Sequence, residues 1–349
     1  MDQTSRPAVS WPIWGHGHAV ATLSLAVASN RVRHAYLIGG PEGVGKKALA
    51  RAFAQAMCCL SPGEPGAACL DCRSCRKIAR GVHPDVQVFG IESQTSSATK
   101  PASKNTTVTI ETIRSLTSAA VLRPIEGLWR VLILDDAELM QEAAQEALLK
   151  TLEEPPPFAV IVLLASDTAL LLPTVRSRCQ EIDLSLLPRT VIEHGLIDRG
   201  VGAGLAEAIA GAAGGKPGWA IRALDQPKLL SDRAETLTRT MTWIGGSSYE
   251  RIVTAVRMGD SFTKRRPLVF QELEIALGVW RDALLLKTDQ QTAITFPSAN
   301  DELSRMIQAW TLSMVHAALR SVRQCIADLE ANVRPRLAIE SMVLQWPIN

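Results

Sequence analysis

Hydrophobic and polar positions change their period along the chain. Between residues 33 and 179, short continuous apolar runs alternate with segments of helical periodicity, a pattern typical of strand-helix-strand units and a parallel sheet. The runs lack the polar alternation of solvent-facing strands and predict buried strands at 35–38, 86–89, 130–134 and 160–164. The periodic segments predict helices at 46–58, 110–122 and 141–153. We therefore predict an α/β domain over residues 1–185.

The remainder of the chain has only the helical period. After residue 184 the strand pattern disappears, and "AGAAGGKPG" at 210–218 predicts a break between helices. We predict a small helical domain over 186–227 and an all-helical domain over 228–349. The polar stretch "ESQTSSATKPASKNTT" at 92–107 predicts a mobile surface insertion in the first domain.

Composition and charge limit the class of protein. The 349 residues are 47% hydrophobic, and 37 basic against 35 acidic side chains leave a net charge of +2. Such a balance gives no basis for a protein that coats nucleic acid with its whole surface. The longest apolar runs are much shorter than a membrane span, and the first residues lack a signal-peptide pattern. A cytoplasmic location without membrane contact, with reduced or metal-bound cysteines, is therefore expected.

A glycine-rich loop follows the first predicted strand. In "GGPEGVGKKALA" at 39–50, Gly40, Gly43, Gly45 and Lys46 have the spacing of a phosphate-binding P-loop, and a predicted helix begins at Lys46. Inward-facing backbone N–H groups and the helix N-terminus favour phosphate there. The next residue of such a loop normally offers a hydroxyl to Mg²⁺, but Lys47 cannot coordinate a cation.

The strand at 130–134 ends in two carboxylates, as the second half of a nucleotide site requires. Asp135 takes the place of the metal-organising aspartate, and Asp136 stands where related ATPases usually have a glutamate. A displacement of about 1 Å in a positioned base costs about a hundredfold in rate. ATP or ADP binding remains possible, whereas hydrolysis is disfavoured. The alternative is a structural turn beside a solvated strand end.

Cysteines cluster between the first and second predicted strands. Cys69, Cys72 and Cys75 have C-x₂-C-x₂-C spacing, and Cys58 and Cys59 lie about ten residues upstream. Four thiolates bind structural Zn²⁺ in tetrahedral geometry, which predicts a zinc module at about 58–76 with either Cys58 or Cys59 as the fourth ligand. A catalytic redox pair is the alternative.

Several separate stretches resemble the AAA+ clamp-loader subunits of bacterial DNA polymerase III. They are "RVRHAYLIGGPEGVGKKALA" at 31–50, "CLDCRSC" at 69–75, "EALLKTLEEPP" at 146–156 and "TVRSRC" at 174–179. Weaker similarity is found in "GGKPGWAIRAL" at 214–224 and "NVRPRLAIESMVL" at 332–344. Their order and spacing extend the resemblance over nearly the whole chain.

The resemblance implies a function and partners. It implies a P-loop core at 1–185, a helical lid at 186–227 and a helical collar at 228–349 that joins gamma/tau and delta subunits in a hetero-pentameric ring. The ring uses ATP to place a sliding clamp on primed DNA. In the motif of Ser177 and Arg178, the arginine would reach a neighbouring subunit's ATP as an arginine finger. The resemblance also favours Cys59 as the fourth zinc ligand.

Departures from the family's motor subunits indicate which member this chain resembles. Motors have Thr or Ser at the position of Lys47, Glu at that of Asp136 and a lid arginine at the position of Gly218 or Trp219, whereas this chain has Arg222 one helical turn later. The departures favour a non-motor stator, and the first alternative is an active motor ATPase of the gamma/tau type. A free-standing zinc protein that binds nucleic acid is a second alternative, disfavoured by the near-neutral charge.

Overall fold

The computed structural model describes residues 11–91, 107–288, 294–331 and 333–348. The predicted insertion at 92–107 lies outside these residues, apart from its last residue. The chain divides into two compact units, of which the first comprises Met1–Leu187 with Lys216–Gly218. The second comprises Pro188–Gly215 with Trp219–Asn349. The division of the second unit into lid and collar stays a prediction.

A five-stranded parallel sheet forms the centre of the first unit. Its strands are β1 (Ala35–Gly39), β2 (Val86–Phe89), β3 (Arg130–Leu134), β4 (Ala159–Ala165) and β5 (Gln180–Asp183). They lie in the order β2-β3-β4-β1-β5, and each adjacent pair is parallel. Every residue of β1, β3 and β4 is buried, which explains their continuous apolar sequences.

Helices cover both faces of this sheet. They are α1 (Gly17–Ala28), α2 (Lys46–Cys58), α3 (Arg73–Ala79), α4 (Ile110–Ala120), α5 (Glu142–Glu153) and α6 (Pro173–Arg176). Tyr36 of β1 packs edge-on against Phe53 of α2, with ring centroids 5.0 Å apart. The next residue, Leu37, points to the opposite face and belongs to the core that includes Leu116 and Leu148. The predicted α/β class is thereby confirmed.

The second unit is helical throughout its described residues. Its helices are α7 (Arg189–Ile197), α8 (Ala203–Ala212), α9 (Pro217–Asp225, which starts in the first unit), α10 (Lys228–Gly245), α11 (Ser248–Lys287), α12 (Asn300–Met306), α13 (Leu312–Glu330) and α14 (Pro335–Val343). The 40-residue α11 is kinked at Arg265, two residues before Pro267. Trp280 lies at the centre of the core, with its ring centroid 5.1 Å from that of Trp310. The prediction of helices after the sheet is confirmed.

Because all five strands are parallel, their carboxyl ends meet at one edge of the sheet. The glycine loop follows β1, Asp135 follows β3 and Ser166 follows β4. The order of the strands therefore brings these three segments, far apart in sequence, to one place.

Candidate functional site

The glycine loop turns sharply between β1 and α2, and it does so with positive φ angles. Gly40, Gly43 and Gly45 have φ values of 137°, 78° and 114°, which side chains rarely permit. A Cβ atom at Gly40 would also lie 2.2 Å from the carbonyl oxygen of Leu184. Glycine is thus required at residue 40 by backbone angle and by space, and α2 starts directly after Gly45.

Lys46 lies inside this loop. Its ammonium donates to the carbonyl oxygens of Gly40 and Pro41 and, at 3.0 Å, to the hydroxyl of Ser166 at the end of β4. Burial lowers the pKa of Lys46, while the surrounding carboxylates, Glu138 foremost, act in the opposite direction. The predicted P-loop lysine and the serine at the end of β4 are therefore in direct contact.

Lys47 pairs with the strand-end aspartate. Its Nζ atom is 2.9 Å from Oδ2 of Asp135, and both side chains are partly exposed, at 43% and 25%. The other oxygen of Asp135, Oδ1, accepts from the backbone N–H of Asp136. Asp136 itself adopts a left-handed conformation with φ 56° and begins a short 3-10 turn at Ala137–Leu139. The structure thus brings Lys47 and Asp135 together and places Asp136 on the turn beside them.

Two residues of this site were missed by the sequence prediction. Glu138 accepts from the backbone N–H of Ser166 through Oε1 at 3.0 Å, and its Oε2 is buried without a hydrogen-bond partner among the described residues. The sequence did contain a signal for Glu138, because this residue lies two positions after Asp136, shortly after the same predicted strand. His16, whose Nε2 lies 3.0 Å from the carbonyl oxygen of Val44, had no such signal in the sequence.

A short segment at the start of α9 also contacts the loop. The backbone N–H of Gly218 donates to the carbonyl oxygen of Gly43 at 2.9 Å. A Cβ atom at residue 218 would lie 3.0 Å from that same oxygen. An arginine there, as in the motor pattern, would require the loop to move by a few tenths of an ångström. Gly218 therefore fits this loop better than the larger residue would.

Arg178 lies just beyond α6, on the surface of the first unit. Its guanidinium contacts Glu153 of α5 at 2.5 Å and the carbonyl oxygen of Thr174 at 2.8 Å, and its side chain is 34% exposed. Ser177 is exposed, and its hydroxyl donates to the same Thr174 oxygen at 3.1 Å. Arg178 is thus oriented by its own chain and still accessible to another molecule.

Four cysteines lie together where α2 ends and α3 begins, and the last of them, Cys75, is within α3. The Sγ atoms of Cys59, Cys69, Cys72 and Cys75 are all within 4.8 Å of one another. Backbone N–H groups point at these sulfurs: that of Cys69 is 3.3 Å from Cys59 Sγ, and that of Cys72 is 3.3 Å from Cys69 Sγ. The loop backbone is therefore arranged around the sulfur atoms.

This cluster suits a tetrahedral metal ion. Sulfurs bound to Zn²⁺ at about 2.3 Å in a tetrahedron are about 3.8 Å apart, so only small shifts of the side chains are required. Burial raises the pKa of Cys72, but hydrogen bonds from backbone N–H groups and from the Cys75 and Cys69 side chains together outweigh it and lower the pKa of this thiol to about 6. By contrast, Cys58 is buried in α2 away from the cluster, and burial raises its pKa to about 12.

The cysteine cluster is connected to the sheet through α3. Lys77 of this helix pairs with Glu126, and the hydroxyl of Ser74 is 3.0 Å from Nε2 of His83. The buried carboxylate of Asp85 accepts from the backbone N–H groups of Ile125 and Glu126, at 2.7 Å each. His83, which lies close to the cysteines in sequence, is thus a packed structural residue.

Comparison with known proteins covers the part of the chain that carries these sites. Residues 15–188 match a family model described as DNA polymerase III, delta subunit. The DNA polymerase III subunit delta' of Pseudomonas aeruginosa is 39% identical over 146 residues, which cover 42% of this chain and 41% of that protein. The subunit tau/gamma of Haemophilus influenzae is 32% identical over 191 residues, covering 55% of this chain and 26% of that protein.

The chain belongs to the DNA polymerase III clamp-loader family. A third member of this family, the Mycobacterium tuberculosis subunit gamma/tau, is 29% identical over 263 residues, covering 72% of this chain and 43% of that protein. The chain spans less than half the length of these relatives.

Two solved structures also align along most of the chain. A Thermotoga maritima DNA polymerase III gamma subunit-related protein aligns with 17% identity and a TM-score of 0.38, covering 93% of this chain and 97% of that one. The Bacillus subtilis DNA clamp loader delta protein aligns with 14% identity and a TM-score of 0.33, covering 93% and 98%. Membership of the clamp-loader family rests on the sequence matches.

Within the described part of this clamp-loader family member, no helix has both the length and the apolar character of a membrane span.

Proposed function

We propose that this chain is the delta-prime subunit of a bacterial DNA polymerase III clamp loader. It would be the stator of the ring that uses ATP to load the sliding clamp onto primed DNA during replication. The observation that carries the proposal is the ion pair between Lys47 and Asp135, at 2.9 Å, in the middle of the P-loop site.

This ion pair removes two parts of a hydrolytic site at once. Phosphoryl transfer in P-loop ATPases depends on Mg²⁺ held by the loop hydroxyl and organised by the strand-end aspartate. Lys47 offers no lone pair to a metal ion, and its ammonium contacts the Asp135 carboxylate instead. Asp136, with a side chain one methylene shorter than glutamate, follows in a left-handed turn. No independent ATPase activity is expected from such a site.

Arg178 supports a role in a neighbour's ATPase site. A guanidinium keeps its charge at all physiological pH values and stabilises charge on a transferring phosphoryl group. In this chain Glu153 and Thr174 orient the group at the surface. A gamma/tau motor subunit is the expected recipient. Ser177, on the same exposed turn, would lie next to that contact.

The remaining segments have structural roles in this proposal. The residues 186–227 would form the lid, and 228–349 the collar that assembles with gamma/tau and delta subunits. Cys59, Cys69, Cys72 and Cys75 would hold a structural Zn²⁺ that fixes α3 against the sheet. The cytoplasmic location of the chain stays a prediction.

An active motor of the gamma/tau type is the second candidate. The observation in its favour is the preserved loop, in which three glycines have positive φ angles and Lys46 reaches Ser166. The two candidates differ in one respect that is directly measurable, namely whether this chain's own P-loop lysine is needed for turnover.

We expect Lys46→Ala in this chain to change the ATP turnover of a reconstituted clamp loader by less than about twofold. The reason is that a stator's own loop hydrolyses nothing. The measurement is steady-state ATP hydrolysis with sliding clamp and primed DNA present, and the same substitution in the motor subunit is the control that must abolish activity. A large loss of turnover from Lys46→Ala in this chain would favour the motor candidate.

A further inference from the structure

The P-loop of this chain does not fit the divalent cation that usually accompanies a bound nucleotide. In P-loop proteins the residue after the lysine directs a hydroxyl at Mg²⁺, and Mg²⁺ in turn bridges the outer phosphate oxygens. Here that residue is Lys47, and its Nζ lies 2.9 Å from the aspartate that would organise the metal. A metal ion at this place would lose both protein groups and would be repelled by the ammonium.

The same ammonium supplies part of the positive charge that a metal ion would supply at this place. Burial lowers the pKa of Lys46, and the negative charges of Glu138 and Asp135 act to raise it. The same charges would repel an incoming phosphate unless a cation lay between them. Lys47 is attached to the second position of α2, next to the N-terminal N–H groups that favour anions. Its side chain is 43% exposed, so it remains accessible from the solvent side of the loop.

We propose that the loop binds the phosphates of a nucleotide without a divalent cation, and that Lys47 is the tethered cation between Asp135 and the phosphate oxygens. The proposal rests on the proposed function, in which residues 39–50 are a P-loop. It adds that the nucleotide binds there without Mg²⁺. Binding and turnover are separated for a physical reason: one fixed charge holds an anion, but it does not replace the two charges and the coordination geometry that Mg²⁺ gives to phosphoryl transfer.

Calorimetric titration of the full chain with ADP, once in chelator-free buffer without Mg²⁺ and once in excess Mg²⁺, tests this proposal and leaves the cysteine cluster undisturbed. We expect the two dissociation constants to agree within about twofold, because no protein group is reserved for the metal. Lys47→Thr restores the hydroxyl and removes the tethered cation, so its ADP binding should become at least about tenfold tighter with Mg²⁺ than without it.

Two further variants control for fold and charge. Lys47→Arg keeps a cation beside Asp135 and should bind ADP without Mg²⁺ as the unchanged chain does. Arg51→Thr removes a positive charge from an exposed position one turn further along α2 and should leave both dissociation constants unchanged. A Lys47→Arg variant with strong Mg²⁺ dependence would contradict the role of the fixed charge.

Two results would overturn the proposal. One is ADP binding by the unchanged chain that requires Mg²⁺, and the other is no binding at millimolar ADP in either solution. Neither result would decide the stator function, because that function is measured by turnover of the assembled ring with the Lys46→Ala chain. Failure of the cation proposal and failure of the proposed function are therefore distinguishable.

Discussion

Replacement of Arg178 by alanine should leave the chain folded and should strongly reduce ATP hydrolysis by a clamp loader assembled with it. Arginine fingers contribute about 10³ to 10⁵ in rate at the site that they serve. The guanidinium is oriented by Glu153 and Thr174 but belongs to no buried network, so its removal costs little stability. Turnover at the receiving site should fall by about 10³ or more, with assembly unchanged.

Arg176, the last residue of α6, provides a matched control two residues before Arg178. Its guanidinium pairs with Glu181 at 2.9 Å, and its side chain is 37% exposed, against 34% for Arg178. Arg176→Ala therefore removes the same charge and a similar ion pair two residues away. It should leave ATP hydrolysis by the assembly nearly unchanged. Equal losses from the two variants, or no loss from Arg178→Ala, would remove the assignment of the arginine finger.

Loss of the metal from the cysteine cluster should produce the second large effect, on stability. Structural Zn²⁺ contributes about 10 to 16 kcal/mol in zinc-finger peptides, and here it would fix α3, which carries Lys77 and Ser74 against the sheet. We expect Cys72→Ser to release zinc, to lower the free energy of unfolding by at least about 3 kcal/mol, and to lower Tm by at least about 6 °C. Metal analysis and thermal unfolding of the purified chain measure both quantities.

Cys58 and Cys59 are adjacent and serve as a matched pair for this prediction. The sulfur of Cys59 lies in the cluster, whereas Cys58 is 4% exposed and packs within α2. Cys59→Ser should therefore lose zinc, and Cys58→Ser should keep about one zinc ion per chain. A parent protein that is stable and contains no zinc would contradict the metal assignment. Zinc lost from Cys58→Ser and kept by Cys59→Ser would reverse the choice of ligand.

The buried strands were predictable because burial on both faces leaves a continuous apolar sequence. All five residues of β3, for example, are buried, and its predicted limits were correct. In β5 only Ile182 is buried, so the edge strand has no apolar run and was missed. The helix α3 was missed because its first residues belong to the cysteine motif. The positions of the cysteines there follow the spacing of metal ligands and hide the helical period of apolar residues.

Candidate site residues were predictable where a motif fixes them and not where tertiary contacts do. The glycines, Lys46 and Asp135 follow from spacing, and Lys47 stands out as a departure from that spacing. The ion pair of Lys47 with Asp135 forms because β3, β4 and β1 are neighbours in the sheet and their carboxyl ends lie together. The order of the strands along the chain does not reveal this arrangement. The same holds for the hydrogen bond from Gly218 to Gly43, since 175 residues separate the two in the chain.

The most direct measurement of the stator function is the ATP hydrolysis rate of the purified chain, first alone and then mixed with the other clamp-loader subunits, sliding clamp and primed DNA. The proposal predicts no turnover by the chain alone and turnover by the mixture only when the chain is present. Robust hydrolysis by the isolated chain would contradict it, because Lys47 and Asp136 would then be compatible with an active motor.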